Sequence, residues 1–130
     1  MARQYEAEQG ILRPYAKGIA IFAGVSGLLG LILGDESAFG ILNIDLMEDI
    51  IHLVSGGLLA YAGWASRDIA VTRSIVGTIG VLYVLMGLLG FISPTFFGLM
   101  PHQLSVVDNL IHLSSGVPSI VIAWFVGSRR

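Results

Sequence analysis

Two short blocks place side chains where they could do chemistry. Residues 48–56 read Glu-Asp-Ile-Ile-His-Leu-Val-Ser-Gly, and residues 108–116 read Asp-Asn-Leu-Ile-His-Leu-Ser-Ser-Gly. Four residues before His52 stands Glu48, and four before His112 stands Asp108. On a helix that spacing puts acid and imidazole on one face. The acid can accept one ring N–H, which fixes the nitrogen left to bind something. Gly56 and Gly116, four residues beyond each histidine, leave room beside the ring. Such a pair suits a tetrapyrrole with His52 and His112 as axial ligands, or a divalent metal. It also suits plain packing, in which each imidazole bonds a neighbouring carbonyl. Asp49-x-x-His52 resembles the carboxylate-x-x-His pairs of di-metal bundles, although Asn109 holds the matching place in the second block.

The blocks are part of a longer echo. The sixty-residue offset from His52 to His112 also carries Gly27-Leu28-Leu29-Gly30 onto Gly87-Leu88-Leu89-Gly90, Arg13 onto Arg73 and Trp64 onto Trp124. Without a gap, residues 11–70 and 71–130 share 13 identities in 60 positions. Apolar composition alone would not order two blocks and both tryptophans, so a tandem duplication is the reading.

What positions these residues is a set of apolar rods. At 130 residues the length suits a single domain. Apolar residues make up 55% and charged residues 12%. Ordinary soluble domains carry about twice that charged share, so part of the solvent must be lipid. Seventeen glycines fit membrane helices packed through small residues. With no cysteine in the chain, disulfides and thiolate metal sites are excluded. The first apolar run, from near Ala16, is too long for a signal core and lacks a small-x-small cleavage site, so no cleavable leader is expected.

Four spans follow, at about 16–34, 48–65, 74–92 and 104–126, each near the ~20 residues a bilayer needs. Residues 1–15 are mixed-charge and belong to water or headgroups. The first span is studded with small residues, several of them four apart. Phe39-Gly40-Ile41-Leu42 and Phe97-Gly98-Leu99-Met100 read as interfacial segments, and Arg67, Asp68 and Arg73 as a short polar turn. Tyr61, Trp64 and Trp124 fall at the level of an aromatic belt. Ser93-Pro94 should end the third span. The fold class is therefore all-α, a four-transmembrane-helix bundle forming one membrane domain over 1–130. Its two helix-pair repeats cover 11–70 and 71–130. All seven basic residues lie in the N-terminal tail, the central turn or the C-terminus, so both termini are expected on the cytoplasmic side.

Other chemistry is weaker. Gly24-Val25-Ser26-Gly27 has the look of an intramembrane serine-protease motif, but Ser26 should lie deeper than either histidine, out of hydrogen-bond reach. Pro118 should kink the fourth span and free the Ser114 carbonyl, with Leu58 at the matching place. The first and third spans lack ionisable groups away from their ends, which disfavours an ion-coupled transporter. Nothing reads as a phosphate loop or a nucleic-acid surface.

Asn109-Leu110-Ile111-His112-Leu113-Ser114-Ser115-Gly116 resembles the N-L-[VI]-H-L-x-x-G signature of small four-helix bacterial membrane proteins, a family with no assigned activity. Phe97-Gly98-Leu99-Met100 and Gly87-Leu88-Leu89-Gly90-Phe91 are similar to that family too, and the first copy departs from it at Asp49. The resemblance implies fold and location, a bacterial inner membrane, and no reaction. Three functions are carried forward. The first is a non-enzymatic accessory subunit of a larger membrane complex, packing against protein partners in the bilayer. The second is a haem- or (bacterio)chlorophyll-binding protein using His52 and His112. The third is a passive pore or carrier.

Overall fold

A computed structural model describes residues 2–34, 41, 42 and 44–126, with side chains from 10 onward. The chain folds as four helices: α1 (Ala2–Leu33), α2 (Leu46–Ala60), α3 (Ile69–Ile92) and α4 (Val106–Trp124). No strand is present among the described residues. α1 over Gly10–Leu33, α3 and α4 are each long and apolar enough to cross a bilayer. α2 has 15 residues and is prolonged by one wide π-helical turn, Tyr61–Ala65, closed by the Ser66 amide on the Tyr61 carbonyl at 2.8 Å.

Local chemistry sets the helix ends. Gly34 has φ at 77° and places its amide on the Gly30 carbonyl at 2.9 Å. It thereby supplies the left-handed residue that stops α1. Asp45, Asp68 and Ser105 cap α2, α3 and α4, through side-chain oxygens that accept from early amides. α3 ends at Ile92, as the following Ser93-Pro94 requires. Phe96, Phe97 and Gly98 then turn through left-handed backbone and leave Phe97 and Leu99 exposed. Phe39 and Gly40, in the other expected interfacial segment, lie outside the described residues.

Two expectations change. α1 is already helical from Ala2 through Pro14, so the N-terminal tail continues the first rod instead of preceding it. The central polar turn is confined to 66–68, because the Asp68 cap starts α3 early enough to place Arg73 inside that helix. There Arg73 Nη1 donates to the Ala123 carbonyl at 2.9 Å. α4 runs as one helix through Pro118.

Packing falls into two hairpins. α1 lies chiefly on α2 and α3 on α4, and the hairpins meet each other more sparingly. Glycines make the close approach possible. A Cβ on Gly27 would stand 2.8 Å from Leu53 Cγ and 3.0 Å from the Asp49 carbonyl oxygen; on Gly87 it would stand 2.7 Å from Leu113 Cγ and 2.9 Å from the Asn109 carbonyl oxygen. Every residue in the second set is sixty positions after its counterpart. An apolar cluster between the helices includes Leu12, Ala16, Leu59, Val76, Tyr83 and Met86, with Ser55, Thr72, Ser115 and Ser119 buried as well. Ile32, Val54 and Ile92 point outward, more than half exposed, as they would toward lipid.

Candidate functional site

The sequence places His52 in the second turn of α2 and His112 in the second turn of α4. Their inward faces are as the spacing requires. Ser55, Gly56, Leu59 and Gly63 are buried on one rod, and Ser115, Gly116, Ser119 and Ala123 on the other. Where the hairpins meet, the two rings stand 6.0 Å apart, centroid to centroid, at 43°. Tyr83 of α3 completes a ring triad, 6.2 Å from His52 and 5.7 Å from His112.

The acids do not divide as their spacing suggests. Glu48 reaches across to the other hairpin, with Oε1 3.3 Å from His112 Nε2, and both side chains are almost fully buried. Asp108 is held at its own helix end. Its Oδ2 accepts the Ser105 amide at 2.8 Å, and the Ser105 hydroxyl accepts the Asp108 amide at 3.1 Å. That is a closed capping box. In α2 the cap is Asp45, whose Oδ1 accepts from Met47 at 2.8 Å. The α2 cap thus does not depend on Glu48, whose extra methylene lets it span the gap. The orienting role expected of Glu48 toward His52 becomes a contact with His112, and Asp108 is partly committed to its cap.

The glycines are also used differently. A Cβ on Gly56 would lie 3.0 Å from the Gly24 amide nitrogen, and one on Gly116 would lie 2.8 Å from both the Gly80 carbonyl oxygen and the Val84 amide nitrogen. Gly56 and Gly116 bring backbones together and leave no room for a ring. The room expected beside each ring at these glycines is therefore taken by helix backbone, and Glu48 stands at His112 Nε2. Asp49 and Asn109 are turned aside, each seated against a glycine of its hairpin partner, Gly30 and Gly90. That removes the di-metal analogy at Asp49.

Beside the histidines lies a half-open cavity of about 330 Å³. Phe22, Ser26 and Leu29 of α1 and Ile111 of α4 form its apolar mouth; Glu48, Asp108 and both histidines form its polar end. Ser26 thus borders the same space as the histidines, with its hydroxyl donating to the Phe22 carbonyl at 2.7 Å. A second cavity of about 280 Å³ lies between α3 and α2, bordered by Leu82, Met86, Leu89 and Ile51. These four sit at the sixty-residue offset from Phe22, Ser26, Leu29 and Ile111. Met86 replaces Ser26, is buried itself, and leaves the second cavity without a polar end.

Sequence reasoning missed Tyr83, Asp45 and His102. Tyr83 has no counterpart in the first half, where Ala23 stands. Asp45 Oδ2 accepts the His102 amide at 3.2 Å and faces its Nδ1 at 3.5 Å, while Ser105 Oγ donates to the Ile41 carbonyl at 2.6 Å. Each cap thereby ties the loop of the other half. The Asp-x-x-Glu and Ser-x-x-Asp spacings were the available signal. Fold and site together define a helical membrane protein with a buried polar cluster near one end. No protein-family model, curated protein or solved structure matches the chain.

Proposed function

We propose that this is a small integral membrane protein that binds a small ligand at the paired histidines His52 and His112, reached through the mouth between α1 and α4. In this reading α2 and its π-helical turn form a fourth span, the chain is two copies of one hairpin, and the basic termini face the cytoplasm. The matched glycine contacts support the duplication. The observation that carries the function is a polar-ended cavity lined by two imidazoles and two carboxylates. Ionisable groups held within membrane helices are costly and are kept for function by default. A packed apolar cluster that includes Leu12, Leu59, Val76 and Met86 lies between the helices, which favours a closed site over a pore.

The test is to purify the chain from native membrane in mild detergent and weigh it intact. A bound mass or metal should accompany the wild type and be lost from His52→Ala/His112→Ala. Equal content in both proteins, or none in either, would sink the reading.

An accessory-subunit role is a second reading, favoured by Gly10, Gly18 and Gly57, which are exposed with nothing close to them. Such bare positions accept a neighbouring helix. Co-purification of a stoichiometric membrane partner, lost on Gly18→Leu or Gly57→Leu, would support it; a wild type that migrates alone would remove it.

A further inference from the structure

We infer that Glu48, His52 and His112 form a three-donor site for a divalent transition-metal ion of the Zn²⁺ class, with one coordination position open toward the α1–α4 cavity. The inference rests on the ligand-binding reading above and names its ligand.

Geometry carries it first. The three residues each offer one donor atom, and these atoms lie within 4.8 Å of one another. Two donors ~2.0–2.1 Å from a tetrahedral Zn²⁺ stand ~3.3–3.4 Å apart. Glu48 Oε1 and His112 Nε2 are 3.3 Å apart, one edge of that tetrahedron. His52 must close by up to ~1.5 Å to complete the face, which a turn about its side-chain torsions supplies. It is the less buried of the two histidines, and so the freer to turn. Two imidazoles and one carboxylate are the ligand set of several open zinc sites, where water or substrate takes the fourth place. Here that fourth place faces a half-open cavity.

An unpaired atom adds to it. Buried polar atoms are nearly always hydrogen-bonded, and exceptions point to a missing water or ion. Here His112 Nδ1 is buried without a partner, in a ring packed against Tyr83. An ion on Nε2 fixes the tautomer with Nδ1–H as donor, and an ordered water is the partner that donor would take. No comparable trio occurs elsewhere among the described residues.

Co²⁺ titration of the full chain in detergent tests this, since tetrahedral Co²⁺ reports its own geometry in the visible spectrum. The expected result is one Co²⁺ per chain with strong tetrahedral bands, displaced by Zn²⁺. Glu48→Gln, His52→Gln and His112→Gln should each weaken binding by more than the ~10–100-fold that a supporting group costs. His102→Gln, near Asp45 and outside the trio, should bind as the wild type does. Ser26→Met, which copies Met86 onto the open mouth, should slow Co²⁺ uptake while the helical circular-dichroism signal stays unchanged. A folded wild type that takes up no Co²⁺ or Zn²⁺ overturns the metal site. If that protein still carries an organic mass dependent on the histidines, the ligand-binding reading survives; if it carries neither, both fall.

Discussion

Glu48 and His112 belong to different hairpins, yet carboxylate Oε1 and imidazole Nε2 stand 3.3 Å apart in an interior almost closed to solvent. Because the two hairpins meet sparingly, this contact and the Tyr83 ring beside it do much of the joining at that end. The pair should therefore be energetically coupled. A double-mutant cycle with Glu48→Gln and His112→Gln, read by unfolding in detergent, is expected to give an interaction of about 0.5–3 kcal/mol. Additive effects within about 0.3 kcal/mol would show that the contact joins nothing.

Glycine contacts within each hairpin make a second prediction. Gly90 faces the Asn109 amide and Gly30 the Asp49 carboxylate, so an added methyl has no place to go. Gly90→Ala and Gly30→Ala should each destabilise by roughly 1–3 kcal/mol through overpacking. A methyl at Gly18 meets nothing within 4 Å. Gly18→Ala should therefore be neutral or stabilise by up to about 1 kcal/mol from helix propensity. Thermal unfolding in one detergent ranks all three, and equal midpoints would contradict the packing described.

Further along α4, the Tyr15 hydroxyl lies 2.7 Å from Ser119 Oγ and donates to the Ser115 carbonyl at 3.2 Å, tying α1 to α4. Tyr15→Phe removes both bonds and should cost about 0.5–1.5 kcal/mol. Ser119→Ala should cost less, because the Ser115 carbonyl still receives Tyr15. A reversed order, measured by the same unfolding transition, would be inconsistent with this geometry.

The outer caps give a further test. Ser105→Ala loses the α4 cap and the bond to Ile41, and is expected to cost about 1–2 kcal/mol. Asp45→Ala should cost at least as much, because Asp45 is fully buried and holds both Met47 and His102. Hydrogen exchange should quicken in the loop of the opposite half in each case. Exchange confined to the mutated helix would show that the caps do not exchange loops.

Orientation can be checked because the chain has no cysteine of its own. Thr95→Cys should react with a membrane-impermeant maleimide added outside intact cells, and Arg67→Cys only after the membrane is opened. The opposite pattern would invert the positive-inside assignment.

Read alone, the sequence determined the rods and their inner faces. Hydropathy marked the helices, three of them long and apolar enough to cross a membrane, Ser93-Pro94 marked an end, and the three- and four-residue spacings put Ser55, Gly56, Ser115 and Gly116 inside, because helical periodicity is local and survives in any bundle. Only the tertiary structure decided which acid meets which histidine. Glu48 and Asp108 have the same spacing to their own histidines, yet Glu48 meets the histidine of the other hairpin, and Asp108 also closes the cap of its own helix. The place of Tyr83 beside both rings and the apolar lining that Met86 gives the second cavity were likewise invisible, since neither has a partner nearby in the chain. Such choices follow from how the two hairpins dock, and side chains on different helices are related by no period.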